Sequence, residues 1–212
     1  MSSSCFAPYL KIGDKIAIVS TARKIIKEEL SFAVNKLEEW GLEVVFGDHL
    51  FEENNQFAGN DSMRAADFQT VLDDDSVKAI ICARGGYGTV RIVDGLDFSK
   101  FKKTPKWVVG YSDITVLHSH ISGNLGIQTI HGTMPINFET NTELALESLR
   151  KTLFGERLTY EIPAHQFNRK GTREGELTGG NLSLLYSLMG STSEINTAGK
   201  ILFLEDVDEY LY

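Results

Sequence analysis

Cysteine and proline are scarce in this chain, at two and four of 212 residues, and no charge of positive sign is concentrated anywhere. Two isolated cysteines cannot build a disulfide framework, and neither has the neighbours that a zinc site requires. Cys5 lies in the N-terminal segment. Cys82 lies inside the apolar run 77–83, where a thiol packs as a small hydrophobe, and only Arg84 is at hand to activate it. No apolar run approaches the ~20 residues needed to cross a bilayer. The first ten residues also lack the basic start and apolar core of a signal peptide. These absences point to a cytoplasmic protein that does not engage a membrane. The net charge of −8 outweighs the small cluster Lys102, Lys103 and Lys106, which disfavours nucleic acid as a partner. The acidic run Asp73-Asp74-Asp75 reads as a solvated turn rather than a metal site. No internal repeat or low-complexity segment is present.

What is present is alternation. Residues 15–20 read as a buried strand. A helix follows over about 27–40, with Leu30, Ala33, Val34 and Leu37 at helical spacing, and Gly41 stops it. Further strands are expected at 42–46, 77–83, 107–109 and 125–130, with helices at 61–73 and after residue 113. This pattern predicts an α/β fold, an open and mostly parallel sheet flanked by helices, with ligands gathering at the strand C-termini. Residues 1–138 form the expected N-terminal domain. Residues 139–170, including a short helix at 142–153, read as a connection rather than core. Residues 171–212 then read as the start of a smaller C-terminal α/β domain. A helix is expected at 182–189 and a buried strand at 200–204, with residues 205–210 as its exit loop. Tyr210, Leu211 and Tyr212 read as opening a new element, so this second unit looks incomplete.

Three glycine-bearing turns follow three strands. Ala83-Arg84-Gly85-Gly86-Tyr87-Gly88 offers backbone amides to an anion or oxyanion, or is simply a tight turn. It lacks the lysine-serine pair of a phosphate loop. Gly110-Tyr111-Ser112-Asp113 sits between a strand and a helix. Ser112 there is either a helix cap or a nucleophile raised on a sharp elbow. In the second case the Asp113 amide faces an oxyanion, although Ile114 stands where such elbows usually carry glycine. Ile130-His131-Gly132 ends a third strand. His131 reads as a pocket-lining residue or a hydrogen-bonded turn residue.

A nucleophilic serine needs a base and an orienting acid. Of the five histidines, His118 and His120 recede along the helix after Ser112, which leaves His131 as the reasonable candidate. Glu205, at the exit of the 200–204 strand, is the best-placed acid.

Taken together, residues 83–88, 110–113, His131-Gly132-Thr133-Met134, Gly179-Gly180-Asn181-Leu182 and Leu204-Glu205-Asp206-Val207 stand in the order seen in LD-carboxypeptidases of the serine peptidase S66 type. The chain resembles that family over nearly its whole length, Thr133 standing where proline is common. The family also includes microcin C immunity proteins, which cleave aminoacyl-nucleotide conjugates. The resemblance implies a Ser-Glu-His hydrolase that releases a terminal D-amino acid from murein tetrapeptide. Ser112 would be the nucleophile and Glu205 the acid, with the Gly86 region and the Asp113 amide as the oxyanion hole. It implies a cytoplasmic homodimer without metal or cofactor, and a catalytic histidine downstream of Glu205. Arg84, Tyr87 and His131 are the substrate-binding candidates, Arg84 for the substrate's terminal carboxylate. The rival expectations are an immunity-type hydrolase of peptidyl or aminoacyl adenylates and a non-catalytic ligand-binding module on the same scaffold.

Overall fold

The computed structural model describes residues 5–207, so the expected element at 210–212 and the end of the Glu205 exit loop lie outside the described residues. The strands β1 (Lys15–Val19), β2 (Glu43–Phe46), β3 (Val77–Cys82), β4 (Trp107–Gly110) and β5 (Ile130–His131) form one sheet in the order β2-β1-β3-β4-β5. All four pairings are parallel. Because both faces are covered, the strand sequences are nearly continuous apolar runs. Alternate residues feed opposite cores. Ile16, Ile18, Ala79 and Ile81 pack on one face, and Ala17, Val19, Ile80 and Cys82 on the other.

The first face is closed by α1 (Lys27–Glu39), through Leu30, Ala33 and Leu37, and by α5 (Glu143–Phe154), through Leu146, Leu149 and Leu153. The stretch at 142–153 expected to be a connection is therefore part of the core. Its apolar residues recur at helical spacing, and the Thr142 hydroxyl accepts the Ala145 amide at 3.2 Å to cap it. The second face is closed by α2 (Asp61–Asp73), the short α3 (Ser99–Lys103) and α4 (Thr115–Leu125). Lys106 of the supposed basic cluster is buried here. Its ammonium donates to the carbonyls of Val71 and Asp74 at 2.8 and 2.6 Å.

Two expectations need correction. The strand placed at 125–130 is only Ile130–His131, because α4 continues to Leu125 and is stopped by Gly126 in the left-handed conformation, φ +66°. The strand β7 (Ile201–Glu205) is not buried. Ile201, Leu202, Phe203 and Leu204 are 38–48% exposed, since β7 pairs on one side only, with β6 (Leu177–Asn181), in a separate two-stranded parallel sheet. Between them runs α6 (Leu182–Ser187), shorter than the expected 182–189. Among the described residues no helix is long and apolar enough to cross a membrane.

Candidate active site

The sheet reverses its winding between β1 and β3, so the turns leaving those two strands diverge and open a crevice at their C-terminal ends. The turn leaving β4 borders the same crevice and carries Ser112. Its backbone is held at φ +58°, one of three non-glycine residues in the left-handed region among the described residues. Such a conformation costs a serine of order 1–3 kcal/mol and is retained where the surroundings impose it. A plain helix cap needs no such strain, because capping residues sit in extended backbone. The missing glycine after the serine also has its explanation. Ile114 is fully buried, and a Cβ on Gly110 would stand 2.6 Å from its side chain. The close approach that an elbow requires is thus provided by Gly110 before the serine.

The turn at residues 84–88 is locked onto this elbow. A Cβ on Gly85 would lie 3.5 Å from both the Ser112 Cβ and the Asp113 amide nitrogen. The Asp113 carboxylate, buried to 1% exposure, accepts the Gly88 and Thr89 amides at 3.1 and 3.0 Å and the Thr89 hydroxyl at 2.7 Å. The Thr21 hydroxyl, from the turn after β1, lies 2.7 Å from that of Thr89. Since Thr89 gives its proton to Asp113, Thr21 is the donor in this pair. Buried Arg64 fixes the same turn by donating to the Thr21 and Gly59 carbonyls at 3.1 and 2.8 Å. One buried network therefore ties together the turns of β1, β3 and β4. The sequence drew attention to the Asp113 amide. Its carboxylate, Thr21, Thr89 and Arg64 went unnoticed because nothing local in the chain marks them.

Ser112, Arg23, Arg84, Gly85, Gly86, Tyr111 and Asn137 line a cleft of about 290 Å³. The Tyr111 hydroxyl donates to the Asn137 side-chain carbonyl at 2.9 Å. Arg84 lies on the wall but donates Nη1 to the Lys24 carbonyl at 3.1 Å. Tyr87 is exposed and sits at φ +60°.

Glu205 ends β7 opposite Asn181. Its Oε1 is buried and has no hydrogen-bond partner among the described residues. Burial raises its pKa, as does the neighbouring Asp206, against a bond from Asn181. The Tyr111 phenol is pushed up by burial and then by the Glu205 charge. The ribbon is joined to the elbow helix through the Thr115 hydroxyl, which accepts the Asn181 amide at 3.0 Å. A Cβ on Gly180 would meet that hydroxyl at 2.6 Å, which accounts for the glycine.

No histidine among the described residues lines the Ser112 cleft. His131 lines a different and larger cavity of about 770 Å³, with its ring 5.0 Å from Phe203 and 6.0 Å from His118. Its outer edge is open, while its flanked ring is desolvated enough to lower its pKa. His118 holds the Gly110 carbonyl at 2.8 Å, His120 pairs with Ser193, and His49 with Asp67. Among the described residues the structure brings together Ser112, Gly86, Arg84 and Asp113, while neither Glu205 nor His131 is among those that line the Ser112 cleft. No group of His, Cys, Asp and Glu suited to a metal ion occurs among the described residues.

Comparison with known proteins identifies the family and the fold. The sequence profile of the LD-carboxypeptidase N-terminal domain matches residues 16–132, and that of the C-terminal domain matches residues 174–212. A probable murein peptide carboxypeptidase of Bacillus subtilis (strain 168) is 42% identical over 213 residues, covering 96% of this chain and 65% of its own length. The chain thus spans just under two thirds of that relative. An MccF-like protein from Bacillus anthracis str. Ames superposes with a TM-score of 0.81 at 28% identity, covering 94% of this chain and 69% of its own. A muramoyltetrapeptide carboxypeptidase from Oxalobacter formigenes gives 0.79, also at 28%, with 92% and 66% covered. On its sequence and its fold alike, the chain belongs to the LD-carboxypeptidase family, peptidase S66.

Proposed function

We propose that this chain carries the nucleophile and the orienting acid of a serine carboxypeptidase that releases the terminal D-residue, D-alanine, from murein tetrapeptide. The observation that carries the reading is Ser112 held at φ +58° on a cleft wall beside a doubled-glycine turn. A binder has no use for that strain, whereas an attacking hydroxyl is exposed by it.

The Ser112 oxygen attacks the carbonyl before the terminal residue, and a base removes its proton. The negative charge that develops on the carbonyl oxygen falls to the Gly86 and Asp113 amides, fixed in advance by the Asp113–Thr89 network. The tetrahedral adduct collapses, the C–N bond breaks, and the leaving amine takes the proton from the base. Water then hydrolyses the acyl-enzyme, with the same base activating it. The bare, buried Oε1 of Glu205 is an acceptor without a donor, as suits a carboxylate that orients an imidazole. The family resemblance puts that base on a histidine downstream of Glu205, a position that none of the five histidines in the 212 residues occupies. Tyr87 and Asn137 flank the peptide. No cofactor enters the scheme. The family resemblance supports cytoplasmic work as a homodimer.

Turnover of murein tetrapeptide by the complete gene product tests the reading. Ser112→Ala should lower kcat by about 10⁴–10⁶-fold, the remainder coming from binding and the oxyanion amides. Full turnover by that variant would overturn the assignment. The resemblance to the microcin C immunity proteins of the family makes aminoacyl adenylates the second reading. Faster turnover of an aminoacyl adenylate than of the tetrapeptide would favour it.

A further inference from the structure

A carboxypeptidase must distinguish a chain end from a chain interior, and the terminal carboxylate is the feature that differs. Its carbon lies about one residue, ~3.5 Å, beyond the scissile carbonyl. A cation that reads it must therefore stand next to the oxyanion turn. Arg84 is the cation that the sequence suggests, yet its Nη1 is held by the Lys24 carbonyl at 3.1 Å. Lys24 itself is paired with Glu53 at 2.7 Å.

Arg23 differs from both. It leaves the turn after β1, on the opposite side of the topological switch, and lines the Ser112 cleft. Its side chain is exposed, and its guanidinium has no hydrogen bond or ion pair among the described residues. The stem lies directly over Gly86. A Cβ there would stand 2.5 Å from the Arg23 Cγ and 2.8 Å from its Nε. Glycine at 86 therefore serves two ends: it permits φ +122°, and it leaves the space that Arg23 occupies. Among the described residues no carboxylate lines this cleft.

We propose that Arg23 is the specificity residue that binds the α-carboxylate of the substrate's C-terminal D-residue, docking it beside Gly86 while Ser112 attacks one residue upstream. The planar fork of a guanidinium matches a carboxylate with two parallel hydrogen bonds, which a lysine cannot reproduce. The proposal rests on the carboxypeptidase reading above and names the group that limits it to chain ends.

The test compares kcat/KM of the complete protein on murein tetrapeptide and on its C-terminal amide. Wild type should favour the free acid by roughly 10²-fold or more. Arg23→Gln should remove most of that preference, mainly through KM, and leave turnover of the amide within about threefold, which also reports that the variant is folded. Arg23→Lys should restore part of the loss. Equal losses on acid and amide would overturn the proposal, as would an acid-selective loss in Arg84→Gln but not in Arg23→Gln. If wild type releases neither D-alanine from the tetrapeptide nor D-alaninamide from its amide, the carboxypeptidase reading falls and this proposal with it. A failure confined to the variants leaves that reading standing.

Discussion

Ser112 illustrates what one residue's backbone adds to its chemistry. Its position between a strand and a helix was legible in the chain, because the apolar run ends at Gly110 and a helical pattern follows Asp113. Its φ was not, since the strain is imposed from outside by Ile114 packed on Gly110 and by the Asp113 carboxylate drawing in residues 88 and 89. The strain has a measurable consequence. Glycine adopts φ near +58° without steric cost, so Ser112→Gly should stabilise the fold by about 1 kcal/mol, or roughly 2–4 °C in Tm, while losing the nucleophile. Ser112→Ala keeps a Cβ in the same conformation and should show no such gain. Thermal unfolding of the two variants beside wild type decides the matter. Equal Tm values for glycine and alanine would mean that the elbow carries no strain.

At the scale of elements, the sequence was most readable where periodicity and caps coincide. Both α1 and α2 were placed to within a residue, the latter opened by the Asn60 side chain accepting the Met63 amide at 2.9 Å. Spacing misled where an apolar pattern outlasted its element. The stretch 125–130 reads as an apolar strand through Leu125, Ile127 and Ile130, yet Gly126 is the C-cap of α4 and only Ile130 and His131 join the sheet. The β6–β7 ribbon was legible as a glycine-rich turn and an apolar strand, but the reason for its glycines was not. A Cβ on Gly179 would stand 1.8 Å from the Phe203 carbonyl oxygen, and its φ of +134° is open essentially to glycine alone. Gly179→Ala should therefore break the pairing of Gly179 with Phe203 and loosen that of Glu205 with Asn181. A cost of about 3 kcal/mol or more is expected. Amide hydrogen exchange at Leu202, Phe203 and Leu204 should accelerate while that of β1 and β3 stays slow. Unchanged protection in the ribbon would show that the backbone relaxes around the new methyl group.

The whole molecule is where sequence reading stopped, because the site is assembled from turns that meet only when β1 pairs with β3 across some sixty residues. Arg23 is the clearest loss. It has no motif, and only the parallel register brings it over Gly86. The junction of the main sheet with the ribbon was equally hidden, and it contains a buried imidazole that sets the acid limit of the fold. His118 donates Nε2–H to the Gly110 carbonyl at 2.8 Å, which leaves Nδ1 buried without a partner. Burial is the main cause that pushes its pKa down to about 4, aided by His131 and opposed by the bond to Gly110. Unfolded, the same imidazole titrates near 6.5. The unfolded chain therefore binds more protons between these values, so the contribution is complete above pH ~6.5 and is lost as pH falls toward 4. The loss by pH 4.5 is on the order of 2–3 kcal/mol. His118→Gln keeps an amide donor for Gly110 and cannot charge. Urea unfolding at pH 7 and pH 4.5 should then show wild type losing about 2–3 kcal/mol more than the variant, the carboxylates common to both cancelling in the difference. Parallel pH dependences would mean that His118 is reached by water at the junction and titrates as an ordinary histidine.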